Sequence, residues 1–173
     1  MEEKKPISHF VAGLIIAAIL VIYSIILNFL DLSQNKGLGW LSYIILVGGL
    51  AFFVNLYGKA KDHQVTFGNL FSYGFKATAI TTLIMVVFIV IFFMVFPEFK
   101  EKIMDAAREG MEKNGKMTDD QIDQGMQMFE RNFILFSAGG VLFMYLILGA
   151  IGSLIGAAIT KKQPHSPFDQ QTI

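Results

Sequence analysis

The chain has 173 residues, no cysteine, and 14 basic residues balanced by 14 acidic ones. It is 54% hydrophobic and 16% charged, with a mean hydropathy of +0.55, where soluble domains carry about 25% charged residues. These figures leave no disulfide framework, thiolate nucleophile or cysteine zinc site, give none of the basic footprint of a nucleic-acid binder, and point to a lipid bilayer as the solvent of a single domain spanning residues 1–162.

A bilayer core about 30 Å thick needs about 20 apolar residues of helix. The first such run, residues 10–30, contains no charge. It is longer than the h-region of a signal peptide and no small-residue cleavage site follows it, so it is expected to be a retained anchor. A polar turn, Asp31 to Gly39, leads to a second span over residues 40–57, with Trp40, Tyr43 and Tyr57 near its ends in the headgroup zone. After another polar stretch, Thr66 has the chemistry of an N-cap. Phe67, Leu70, Phe71, Gly74 and Phe75 then recur at helical spacing, which predicts an amphipathic interfacial turn over residues 67–76. The third span follows over residues 77–96.

Pro97 closes that span or opens the next helix. Residues 97–132 hold nine acidic and six basic side chains. Phe99, Ile103, Ala106, Ala107 and Met111 fall on one helical face. Asn114-Gly115 is a stop signal, and Thr118-Asp-Asp-Gln121 reads as a capping box. Ile122, Met126, Phe129 and Phe133 form a second apolar face. An extramembrane helical hairpin is therefore expected between spans three and four, its second helix running into the fourth span at residues 133–159. Residues 163–173 have no periodicity and are expected to be a disordered tail.

The N-terminus, the loop at 58–76 and the C-terminal tail carry seven lysines at high density. The opposite side spreads six of its seven basic residues over the 36 positions of the hairpin. The positive-inside rule then predicts both termini in the cytoplasm and the hairpin in the periplasm.

The stretch Thr66-Phe-Gly-Asn-Leu-Phe-Ser-Tyr-Gly-Phe-Lys76 resembles a Ser/Thr-Phe-Gly-x-x-Phe-x-x-Gly signature opening a third span. With it come Phe96-Pro-Glu-Phe99, the methionine-bearing charged insert and a glycine-rich last helix ending Thr160-Lys-Lys162. In this order they resemble the small bacterial membrane proteins of domain-of-unknown-function family 4199. The resemblance covers about residues 7–162 and implies four spans in a bacterial inner membrane. It implies no catalytic residue and no substrate.

Candidate chemistry is sparse. The span interiors contain no Asp, Glu, Arg or His, whereas an intramembrane charge normally marks an ion or proton pathway. Asn28 and Asn55 are placed to bond across helices, and Thr78, Thr81 and Thr82 to bond back to helix carbonyls. His9, His63 and His165 lie far apart, so no metal site is expected. Met126-Gln-Met128 has thioethers suited to Cu(I), but Met111 and Met126 lie on apolar faces and are read as packing residues. No catalytic motif or phosphate loop is present, and no cofactor is expected. Gly13 and Ala17 in the first span, and Gly149, Gly152, Ser153 and Gly156 in the last, form small-residue surfaces for close helix packing, within the bundle or between copies in a homo-oligomer.

The fold expected is an all-α membrane protein, a four-helix transmembrane bundle with the hairpin outside. The function expected is that of a non-enzymatic accessory or scaffold protein of the bacterial cell envelope. The hairpin's apolar faces could pack against each other, against the bilayer surface or against a partner; in this reading Phe99, Ile103, Met111, Ile122, Met126 and Phe129 would dock on an envelope protein. The alternative is a small-molecule or ion transporter or channel acting as an oligomer. A lipid-handling enzyme is a third reading, without a convergent acid, base or metal site to support it.

Overall fold

The computed structural model describes residues 6–33 and 35–163. The expected tail from residue 164 onward, with His165, lies outside the described residues. Six helices follow in order: α1 His9–Phe29, α2 Lys36–Ala60, α3 Phe67–Val95, α4 Glu98–Asn114, α5 Asp119–Arg131 and α6 Phe133–Ile159. Four of them, α1, α2, α3 and α6, are long and apolar enough to cross a membrane. They form a helical membrane bundle, with α4 and α5 at one end of it.

Side-chain caps set the helix starts. Ser8 caps α1 through Val11 N–H, and the Asn35 side chain accepts from Gly37 and Leu38 N–H. Thr66 accepts from Asn69 N–H at 3.2 Å. The capping box at α5 is complete: Gln121 N–H donates to the Thr118 hydroxyl, and Thr118 N–H to the Gln121 side chain. Gly115 ends α4 at φ 62°, the left-handed conformation that a helix C-cap favours and glycine adopts without strain.

Two boundaries differ from the sequence reading. The expected interfacial turn at 67–76 and the third span are one continuous helix of 29 residues. At 1.5 Å per residue it is about 43 Å long, longer than a bilayer core of about 30 Å. At the far end, α5 does not run on into α6. Asn132, at φ −112° and ψ 21°, separates them while its side-chain amide donates back to Met128 O.

The bundle is closest in its middle and at the end opposite the hairpin. α6 packs along both α2 and α3, and α1 packs along α3. A methyl group added at Gly13 would lie 2.7 Å from Ala77 O. One at Gly156 would lie 2.8 Å from Val54 Cβ, and one at Gly149 would overlap Thr78. Ala17 and Ser153 are fully buried beside them. The small residues picked out in the sequence thus lie at helix contacts inside the chain. Thr81 donates to Ala77 O and, across the helix pair, to Gly13 O. Thr78 bonds back to Gly74 O as expected, but Thr82 Oγ1 is buried without a partner among the described residues.

Candidate functional site

The hairpin end of the bundle is built differently. Aromatic side chains, not glycines, make the buried contacts there. Phe92, Phe93, Phe99 and Phe133 are buried in one cluster, with Phe88, Phe96, Ile103 and Phe129 packed on it. Ring centroids lie 5.2 Å apart for Phe92 and Phe99 and 4.9 Å for Phe93 and Phe133. Phe88, Phe92 and Phe93 of this cluster also face the space between the spans. A cavity of about 650 Å³ opens between them. This lies within the range of small-molecule sites.

The cavity reaches from the middle of the bundle to α4. Ser24 and Asn28 line it from α1, Ser42 and Tyr43 from α2, Met85, Phe88, Ile89, Phe92 and Phe93 from α3, and Val141 and Tyr145 from α6. Ile103, Ala106 and Ala107 roof it from α4. Among the described residues, no lining side chain carries a charge. The Asn28 amide donates to Ser24 O at 2.8 Å, so Asn28 bonds within its own helix rather than across helices. Tyr43 and Tyr145 meet edge to face at 6.3 Å. The lining is therefore a mostly apolar wall with a few hydroxyl and amide groups, suited to an uncharged amphipathic molecule.

The roof is held on several sides. Lys102 forms an ion pair with Asp31 in the α1–α2 turn and stands over the Phe99 ring at 5.0 Å. Arg108 bridges to Asp123 on α5 at 2.6 Å, and its guanidinium is held above its ordinary pKa by that hydrogen bond and by Glu112. Lys100 reaches Glu130 at 3.7 Å.

The six hairpin residues selected in the sequence as a docking face are placed within the chain. Phe99, Ile122 and Met126 are buried, and Ile103, Met111 and Phe129 are half-buried. Phe99, Ile103 and Phe129 join the aromatic cluster, and Met111 rests on α5 at Gly125. A partner meeting the hairpin would touch its outer faces, where Met117 and Met128 are exposed. The sequence reading missed the cavity-lining set. Its available signal was the level of the polar residues: Ser24, Asn28, Ser42 and Tyr43 lie in the hairpin-side thirds of their spans, and Tyr145 in the hairpin-side half of α6.

A family model described as "Protein of unknown function (DUF4199)" matches residues 12–162. The chain belongs to this family. The match spans all four membrane helices and the whole hairpin, so the cavity and its roof lie inside the family's domain. A search of curated proteins and a search of solved structures give no match. Among the described residues, no three His, Asp or Glu side chains converge as a metal site would require.

Proposed function

We propose that this member of the 4199 family is a non-enzymatic accessory protein of the bacterial inner membrane that holds an uncharged amphipathic molecule beneath its external hairpin. The observation that carries this reading is the cavity itself, whose described lining is uncharged, mostly apolar, dotted with hydroxyls and roofed by α4. A general acid or base needs a titratable group near its working pH, and the described lining offers only the two tyrosines. Binding is favoured over passage by the layer below the cavity. Ile16, Leu20, Leu46, Leu50, Thr78 and Thr81 are all essentially inaccessible there and fill the middle of the bundle. Lysine density supports the hairpin facing the periplasm and the termini the cytoplasm. A periplasm-dependent reporter fused after Lys162 should be inactive; activity would reverse the orientation.

A photoactivatable diacylglycerol, which is uncharged and amphipathic, tests the site in purified full-length protein. Crosslinks should map to residues 85–93 and 103–107. Ala107→Trp, which fills the cavity from its roof, should reduce them several-fold. Equal labelling of both proteins, confined to lipid-facing residues such as Ile22 and Ile44, would reject the reading.

A further inference from the structure

The opposite end of the bundle holds a second cavity, of about 390 Å³, where the segment before α1 crosses the end of α2 and the start of α3. Its chemistry is the reverse of the first. Lys61 and Lys76 line it together with His9, Asn69 and Ser72, and no carboxylate is among its described lining residues. The shape is fixed by two contacts. The Tyr73 hydroxyl donates to Ile7 O at 3.0 Å and pins the N-terminal segment across α3. The Tyr57 and Tyr73 rings stack behind it, 4.3 Å apart and 13° from parallel. The same end of the bundle carries Lys59, Lys161 and Lys162, with Asp62 as its one acidic side chain among the described residues.

Depth in the membrane narrows the ligand further. A bilayer core takes about 20 helical residues, and counting back from Val95 along α3 brings its edge to Lys76. The Lys76 stem then lies against hydrocarbon while its ammonium reaches the headgroup layer. Stacked tyrosines are at home at that depth. A fixed pocket with two ammonium groups, amide and hydroxyl donors and no carboxylate among its described lining residues, at the level of lipid phosphates, fits a phosphate group.

We infer that this cavity binds a phosphate group, and that the molecule bearing it is an anionic phospholipid of the adjoining leaflet. The site is separate from the cavity under the hairpin and stands or falls apart from it.

Native mass spectrometry of the purified full-length chain tests this with three probes: dioleoylphosphatidylglycerol, dioleoylphosphatidylcholine and inorganic phosphate. Each basic residue near an anionic surface contributes about 1 kcal/mol, so two should favour the anionic lipid by about tenfold or more. The K61Q/K76Q double variant should lose that preference. K59Q/K161Q removes the same charge from the same end outside the cavity and should keep it. Both pairs are exposed, so melting temperatures without lipid should match the wild type. Equal retention of the two lipids, or equal loss in both double variants, would reduce the cavity to a generally basic surface and overturn the inference. Displacement of the lipid by millimolar inorganic phosphate would uphold the phosphate site and overturn the lipid as its source.

Discussion

The two halves of this bundle solve helix packing in opposite ways. Away from the hairpin, glycines and small residues let α6 settle onto α2 and α3 until backbones nearly touch. A methyl group at Gly152 would lie 3.0 Å from Val47 Cα. Toward the hairpin, α6 carries Gly139 and Gly140, and an added methyl at either meets nothing within 4 Å. Residue type alone therefore does not distinguish the two regions of one helix. What differs is where they point: Gly149, Gly152 and Gly156 are buried against Thr78, Val47 and Val54, whereas Gly139 and Gly140 are exposed on the outer face of α6. The tight half separates two cavities of opposite chemistry, one uncharged and one lysine-lined. Rigidity in the middle allows each end to be specialised independently.

Removing the aromatic support of the open half should give the largest effect. Phe99 is 7% exposed and meets Phe92, Phe29 and Phe96. Phe99→Ala should destabilise by about 3 kcal/mol through lost burial and the cavity left behind. The loss should be local, because α4 is joined to the bundle chiefly by this cluster. Brief trypsin treatment in detergent should cut the variant at Lys100, Lys102 or Arg108 well before the wild type, while the four spans remain intact. Unchanged proteolysis would mean that the ion pairs alone hold the roof.

The same comparison can be made within α6 by two substitutions of one kind. Gly149→Ala forces a methyl group into Thr78 and should cost about 1–3 kcal/mol. Gly140→Ala enters open space and should be neutral or stabilise by up to about 1 kcal/mol through helix propensity. Thermal unfolding of the two variants in the same detergent should move in opposite directions or differ sharply. A similar fall for both would mean that the outer face of α6 at Gly140 is itself closely covered in solution.

Much of this organisation was legible in the sequence, and the part that was not has a physical reason. The spans, the capping box at Thr118 and the glycine stop at Gly115 are local signals, each written within a few residues. The small-residue surfaces were legible because a repeat every four residues is itself a packing pattern. The use of the hairpin's apolar face was not. Amphipathicity in Phe99, Ile122 and Met126 says that a face must be covered, but not whether a partner or the chain's own spans will cover it. The cavity was illegible for a related reason. Ser24, Ser42 and Tyr145 come from three helices, and only the packing of those helices brings them into one lining. The continuity of α3 from Phe67 was hidden by a change in amphipathicity that tracks the membrane surface rather than a helix boundary.

The smallest expected effect separates the electrostatic from the aromatic part of the hairpin's support. Lys113 lies 2.5 Å from Glu109 one turn earlier on α4 and holds its carboxyl below the usual range. A depressed carboxylate pKa contributes stability above the unfolded-state value, and that contribution is lost as pH falls through the folded-state value. Both groups are exposed, so salt should screen the pair. Wild type should therefore melt slightly above Glu109→Gln at neutral pH and low salt. The gap should close as the pH drops into the acidic carboxylate range, and also at 1 M salt without a pH change. The Gly149→Ala deficit should persist under both conditions, because no titratable group faces Gly149 and the overlap with Thr78 is steric. If acid removed the two differences together, the hairpin and the packed half would be unfolding as one unit, and the division between the halves would be one of packing style rather than of stability.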